Sequence, residues 1–341
     1  MRNVSVVIAT FNGQPFIREQ LNSILSQTVL PSEIVICDDG SSDGTVEEIK
    51  SFGATSPVLI RLYLNEKRLG YSDNFLKGAR LSRCEFIAFC DQDDIWSSQK
   101  LEKCLAFIAE NDVALCAHTA RLVDENGKFI SIMGQKIRRT GLIAPRTIDP
   151  WGMFAGFSQI FHRSILEIIP ADQRGIDSNT FEKILPHDRW TYFLASHFCK
   201  IGVINEPLVN YRQHSRNTYG IKHKTLWDRF IAKTHEGPNK LAQFANLADY
   251  RVDMLESNRS RDLKQEFDLA IARWKSVRDF CQLRFTLYSS KYFAVRLLLL
   301  VRCLCYGAYL PYRFSGLGPK RLLEDISLGL FGTYFTGWGQ R

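Results

Sequence analysis

The stretch Glu85-Phe86-Ile87-Ala88-Phe89-Cys90-Asp91-Gln92-Asp93-Asp94-Ile95-Trp96 (EFIAFCDQDDIW) runs an apolar segment into three carboxylates within four positions, then returns at once to large apolar side chains. Residues 85–90 read as a buried strand. Carboxylates at this density repel one another unless a cation sits among them. The stretch therefore predicts a strand that ends in an acidic turn with a cationic partner.

The same grammar recurs upstream. Val4–Ala9 (VSVVIA) is a β-branched apolar run that ends at Thr10-Phe11-Asn12-Gly13, and after Pro15 the residues Ile17, Leu21, Ile24 and Leu25 fall at helical spacing. Glu33–Cys37 is a second strand ending in DDGSSDGT, and Val58–Leu64 is a third, followed by a turn from Asn65 to Gly70 and a helix over 72–81. Beyond the acidic turn, Ser97 or Ser98 can cap a helix carrying Leu101, Cys104, Leu105 and Ile108. Alternation of this kind predicts an α/β fold with a doubly wound, mostly parallel, Rossmann-like sheet. Thr10–Asn12, Asp38–Asp39 and Asp91–Asp94 each follow a strand, so they converge where open parallel sheets bind ligands. Neither GxGxxG nor GxxxxGK[ST] is present, which leaves phosphates to be held by other means.

Composition bounds the function less tightly. With 341 residues, 45% hydrophobic and 23% charged, the chain is an ordinary globular one. The start MRNVSVVIATFNG lacks the features of a secretory signal, and nine cysteines without a CxxC pair read as reduced thiols, so a cytoplasmic setting is expected. The net charge of +8 admits nucleic acid, an anionic membrane or an anionic substrate as partner. Residues 291–341 carry seven basic and two acidic side chains, a net of +5, inside hydrophobic sequence. With no helix-turn-helix or arginine-aromatic signature, this distribution argues against nucleic acid.

The character changes to helical, mixed-charge sequence near Thr225, which predicts a catalytic-type domain over 1–224 and a helical C-terminal region over 225–341. Within that region Phe293–Leu310 (FAVRLLLLVRCLCYGAYL) is apolar but broken by Arg296 and Arg302, unlike a simple membrane span. It reads either as an interfacial helix at an anionic membrane or as a helix packed on its own domain.

Asp91 and Asp93 have DxD spacing, and carboxylate oxygens suit magnesium or manganese bound together with substrate phosphates. VSVVIATFNG, SILSQTVLPSEIVICDDGSSDGT and FIAFCDQDDIW, in this order, resemble the inverting family 2 glycosyltransferases of the GT-A fold, over roughly residues 3 to 220. The resemblance implies that Asp39 reads the nucleotide base, Asp91 approaches the ribose and Asp93 binds a Mn2+ or Mg2+ ion on the diphosphate. A carboxylate accepting a pyrimidine imide N–H selects uracil or thymine nucleotides, and Phe11 offers a face to the base. Thr10, Phe11, Asn12, Asp39, Asp91 and Arg212 are the candidate nucleotide-sugar contacts, while Asp43 reads as a helix cap before TVEEIK.

Three later segments complete the expectation. In ILPHDRWTYFLASHF, Asp188 is by itself a helix N-cap candidate, and the resemblance makes it the general base that takes the acceptor's proton. The pair His187-Asp188 with Trp190 resembles a rhamnosyltransferase-like branch, with His187 either orienting the acceptor or tuning Asp188. In NEPLVNYRQHSRNTYG, the string Tyr211-Arg212-Gln213-His214 with Asn217 resembles the same branch; Arg212 is a partner for the diphosphate and His214 a further metal ligand or a structural histidine. Trp151, near Gly152 and Gly156, is either a platform for an acceptor sugar or a core aromatic. QxxRW of the processive synthases is absent, so transfer of one sugar per encounter is expected.

The resulting expectation is an inverting transferase with dTDP-rhamnose as leading donor and a UDP-sugar as alternative. Its acceptor is a lipid-linked or surface-polysaccharide glycan at the inner face of the cell membrane. A glycoside hydrolase, which needs no diphosphate-bound metal, and a non-catalytic nucleotide-sugar-binding protein are the competitors.

Overall fold

The computed structural model describes residues 3–214 and 237–330. They form two compact units, one of residues 3–145, 152–174 and 185–214, the other of residues 146–151, 175–184 and 237–330. The two short excursions into the second unit are invisible to a linear reading, which drew one boundary near 225.

In the first unit, β1 (Val4–Thr10), β2 (Glu33–Asp38), β3 (Leu59–Leu64) and β4 (Phe86–Asp91) are parallel and lie in the order β3-β2-β1-β4. They are linked by α1 (Gln14–Leu25), α2 (Thr45–Gly53) and α3 (Tyr71–Leu81). After β4 come β5 (Ile95–Trp96), α4 (Lys100–Asn111), β6 (Leu115–Val123), β7 (Phe129–Met133), β8 (Gly141–Ile143), β9 (Gln159–His162), α5 (His187–Phe198) and β10 (Ile201–Arg212). The sheet continues from β4 as β9-β6-β10-β5, with β9 antiparallel to both of its neighbours and β6 parallel to β10. The expected α/β architecture with a mostly parallel sheet is present.

Alternation along β1 explains why both faces are covered. Successive side chains point to opposite faces. Val6 and Ile8 join one fully buried cluster with Ile17, Leu21 and Ile24 of α1, Ile49 of α2 and Leu101 and Ile108 of α4. Burying each such side chain contributes about 1.5–3 kcal/mol. Val7, on the other face, meets α3 so closely that a Cβ on Gly78 would lie 2.5 Å from its Cγ1. Gly78 is thus what lets α3 lie down on the sheet.

The register positions the site. Thr10 pairs with Asp38, Asp38 with Leu64, and Ala9 with Asp91, so four strands end level and release their polar turns at one edge.

In the second unit, α6 (Gly237–Ser257) and α7 (Lys264–Ser289) pack along each other, and α8 (Phe293–Cys305) follows. Trp151 lies edge-on against Phe244 and Trp274, at ring distances of 5.0 and 4.8 Å. Asp325 is fully buried and accepts from Arg284 Nε and Nη2 at 2.7 Å each and from the hydroxyls of Tyr288 and Tyr309 at 2.9 and 2.8 Å. Among the described residues no helix is long and apolar enough to cross a membrane.

Candidate active site

The site grows from the ends of β1 and β2. Thr10 is buried and its hydroxyl donates to Asp38 Oδ2 at 2.8 Å, while Asp38 also accepts from Ser41 N at 2.8 Å and Ser41 Oγ at 2.6 Å. This ties the two turns together, and it occupies the Thr10 hydroxyl that was expected at the nucleotide. Asn12 follows in a left-handed conformation, φ 49°, which asparagine tolerates, and its side-chain oxygen accepts from Ser42 N at 2.8 Å. Asp43 lies one residue before Gly44, the N-cap of α2, so it is not the cap expected; it accepts from Thr45 N at 3.1 Å and holds the turn that leads into the helix.

Asp39 is 4% exposed and accepts from Asn65 Nδ2 at 2.9 Å, Leu69 N at 2.6 Å and Gly70 N at 2.8 Å. Its carboxylate folds the 65–70 turn over the end of β2, leaving at most one acceptor direction for a base. Within that turn Arg68 sets its guanidinium 3.8 Å from the Phe11 ring centroid, on a face that had been assigned to a nucleobase.

The acidic turn is locked to β1 by a residue that the sequence reading passed over. Gln92, between the two ligand candidates, accepts from Phe11 N at 3.0 Å and donates to Phe11 O at 3.2 Å. A Cβ on Gly13 would lie 2.3 Å from its Oε1, so the glycine makes room for this clamp. The only sequence signal was a long amide between two aspartates. Asp91 ends β4, and its carboxyl is raised to about 8, first by burial and then by the fields of Asp93 and Asp188. The charges of Asp93 and Asp188 are thus both felt at Asp91. Beneath them Asp94 is fully buried and held well above the carboxylate range by burial, with Asp91 and Asp93 adding to it. Lys100, also fully buried, donates to Phe157 O at 2.7 Å and stands 3.2 Å from the Trp96 ring centroid. Burial pushes its amine down to about 7. An inward-facing lysine at the start of α4 had no distinguishing mark in the sequence.

Asp93 and His214, 121 positions apart, meet at 2.8 Å between Oδ2 and Nε2. The His214 ring stacks on Phe16 at 4.5 Å. Arg212 places its Nη2 on Glu19 of α1, and its backbone N–H donates to Asp94 Oδ1 at 3.1 Å. Its guanidinium is thus committed to a protein carboxylate, where a diphosphate had been expected. Asn217, in the same motif, lies outside the described residues.

Asp188 sits inside the first turn of α5, after Pro186, so it is not the N-cap. Its Oδ1 accepts from Arg189 N at 2.8 Å and its backbone carbonyl from Gln159 Nε2 at 2.9 Å. His187 is turned the other way. It is 4% exposed, stacked on Phe75 at 4.1 Å and perpendicular to Phe89 at 4.8 Å. Neither ring nitrogen has a hydrogen-bond partner among the described residues. Burial and then Arg174 push the imidazole down to about 3. His187 thus packs in the core, and the acceptor-orienting alternative does not fit its burial. Gly156 closes on it, since a Cβ there would lie 2.8 Å from His187 Nε2. Trp151 belongs to the second unit, where it is a packed aromatic.

Residues 5–168 match the sequence model of the family described as Glycosyl transferase family 2. They form a family 2 glycosyltransferase domain. The family 2 match covers Thr10, Asp39, Asp91 and Asp93, whereas Asp188, Arg212 and His214 lie beyond it.

Over 131 residues the chain is 30% identical to the Escherichia coli protein named UDP-Glc:alpha-D-GlcNAc-diphosphoundecaprenol beta-1,3-glucosyltransferase WfgD, covering 38% of this chain and 51% of that one. Over 107 residues it is 36% identical to the dTDP-rhamnosyl transferase RfbG of Shigella flexneri, covering 29% and 37%. Matches of 221 and 230 residues to other curated proteins span 66% and 62% of those relatives' lengths, a little under two thirds. The crystal structure of S. aureus TarS 1–349 in complex with UDP-GlcNAc superposes with a TM-score of 0.54 at 15% identity, covering 96% of this chain and 92% of that one. That likeness is one of fold, and it places the family 2 domain among GT-A structures.

Among the described residues no cluster of three or more His, Cys, Asp or Glu is arranged to hold a metal by itself. The available donors are Asp93 and His214, with Asp91 beside them. Two protein ligands suit an ion that completes its shell with phosphate oxygens and water.

Proposed function

We propose that the protein is an inverting glycosyltransferase that moves one sugar from a nucleotide sugar to a hydroxyl of a lipid-linked or surface-polysaccharide acceptor. The observation that carries this reading is the gathering of Asp91 and Asp93, from the end of β4, with Asp188, from the start of α5. At this carboxyl edge of the sheet burial raises the Asp91 carboxyl, and the charges of Asp93 and Asp188 add to it.

In this reading Asp188 removes the proton from the acceptor hydroxyl as its oxygen attacks the anomeric carbon opposite the diphosphate. The bond from that carbon to the diphosphate oxygen breaks, the diphosphate keeps the electron pair, and the carbon is inverted. Asp93 and His214 would hold a Mn2+ or Mg2+ ion, which supplies positive charge to the departing diphosphate. Asp39 and Phe11 flank the base, and binding requires Arg68 to leave the Phe11 face. Arg212 reaches the diphosphate only by exchanging Glu19 for it.

The donor we favour is dTDP-rhamnose, supported by the His187-Asp188 and Tyr211-Arg212-Gln213-His214 strings and by the similarity to RfbG. A UDP-hexose is the second reading, supported by the similarity to WfgD. The WfgD name also supports a lipid-linked acceptor, and with it a cytoplasmic protein peripheral to the inner face of the membrane.

Thermal stabilisation by a panel of nucleotide sugars, each with and without manganese, tests the reading, because a ligand of the native state raises its melting midpoint. A manganese-dependent shift with one dTDP- or UDP-sugar is expected. Glycosidase activity without nucleotide or metal would overturn it, and donor binding with no transfer to any acceptor would leave a binding protein.

A further inference from the structure

Helix α8 is amphipathic in the opposite sense to a helix that faces water. Its buried positions are Arg296, Leu300 and Cys303, at i, i+4 and i+7. The opposite face carries Leu298 and Val301, 68% and 46% exposed, flanked by Leu297 and Leu304 at 45% and 47%. Arg296 is 3% exposed and donates Nε to Ser290 O at 2.7 Å and Nη1 to Leu330 O at 3.3 Å. The fold satisfies the guanidinium with carbonyls inside and turns leucine and valine outward. A contiguous apolar surface of this kind on a soluble protein marks an interaction site.

The charges around it indicate what it meets. Between residues 291 and 330 the exposed charged side chains are Lys291, Arg302, Arg313 and Lys320, all cationic. The two acids of the segment are withdrawn: Asp325 is buried against Arg284, and Glu324 is half-buried and paired with Arg321 at 2.7 Å. Arg302 and Arg313 lie 5.5 and 4.8 Å from the rings of Tyr306 and Phe314, so each of these cations stands beside an aromatic ring. A second copy of the chain seated here would bring like charges together across a two-fold axis. An anionic lipid surface accepts both the apolar face and the cationic rim. The 13 residues of α8 measure about 20 Å, against roughly 30 Å of bilayer hydrocarbon.

We infer that the outward face of α8 is a docking surface for an anionic lipid bilayer. The helix lies flat at the headgroup level, with Leu298 and Val301 inserted and Arg302 against lipid phosphates. This extends the membrane setting of the proposed function and does not depend on the donor.

The test is co-sedimentation of the full chain with phosphatidylglycerol-containing vesicles and with pure phosphatidylcholine vesicles. The wild type is expected on the anionic vesicles, less so as salt rises. Leu298→Glu, at an exposed position, should weaken that binding at least about tenfold. Leu269→Glu, on an exposed apolar position of α7 (45%), should leave it unchanged. Arg302→Glu should weaken it and flatten its salt dependence. No binding of the wild type, or equal binding of Leu298→Glu, overturns the inference, as does a solution dimer that Leu298→Glu dissolves without vesicle binding. Thermal stabilisation by nucleotide sugars in Leu298→Glu reports the donor site separately, so failure here and failure of the transferase reading are distinguishable.

Discussion

Replacing His187 by leucine should make the protein more tolerant of acid. The imidazole is packed among Phe75, Phe89 and Tyr71 and held neutral, its pKa lowered from 6.5 to about 3 by burial and then by Arg174. Above pH 6.5 the ring is neutral in both folded and unfolded chains. As pH falls, the unfolded chain takes up a proton that the folded state refuses until about pH 3, so stability is lost through that window. Between pH 7 and pH 5 this one ring removes about 2 kcal/mol. Leucine suits the test because a phenyl ring would press on Gly156, which already lies against Nε2.

The assay is urea denaturation of wild type and His187→Leu at pH 7, 6 and 5, read as the difference of differences. The packing cost of leucine cancels. So does His118, likewise buried and lowered to about 3, because it is present in both proteins. The variant should lose about 2 kcal/mol less than wild type between pH 7 and 5. Equal losses would refute the reasoning: the folded ring would then be taking a proton from water or an acid, and a part for His187 beside the acceptor would return.

Three further outcomes are expected. Asp188→Asn should leave donor-induced thermal stabilisation intact and cut turnover by at least about a hundredfold, the scale of a lost general base, and near-normal turnover would reduce Asp188 to a first-turn acid favouring the α5 dipole. Asp93→Ala should abolish manganese-dependent nucleotide binding, and undiminished manganese-dependent binding measured by calorimetry would refute the ligand assignment. Asp325→Asn should cost about 3–5 kcal/mol in chemical denaturation, because it leaves the buried Arg284 without its bidentate partner; a loss under about 1 kcal/mol would mean that Arg284 finds another carboxylate.

Much of the fold was legible because strands and helices announce themselves locally. VSVVIA, EIVIC and EFIAF are continuous β-branched or aromatic runs, and the residues after them are small or acidic, so the strand–turn–helix order and the edge bearing the polar turns follow from period and punctuation alone. The antiparallel insertion of β9 between β4 and β6 was not legible, since Gln159–His162 is four residues whose pairing depends on chain path.

The site divides along the same line. By itself the sequence determined which side chains are available: three carboxylates from the last residue of β4 onward, Asp39 after β2, and a His-Asp pair opening a helix. Only the tertiary structure decided what each is spent on. Asp39 turned out to hold a loop through three N–H groups, Gln92 to clamp the β1 turn, and His187 to enter the core while its neighbour Asp188 joined the acids. Asp93 met a histidine 121 positions away. In α8 the composition showed apolar residues with two arginines, but that Arg296 turns inward depends on carbonyls supplied by Ser290 and Leu330, while Arg302 stays exposed. Periodicity is a property of neighbours along the chain, whereas burial and pairing are set by segments far apart in sequence, so the second cannot be read from the first.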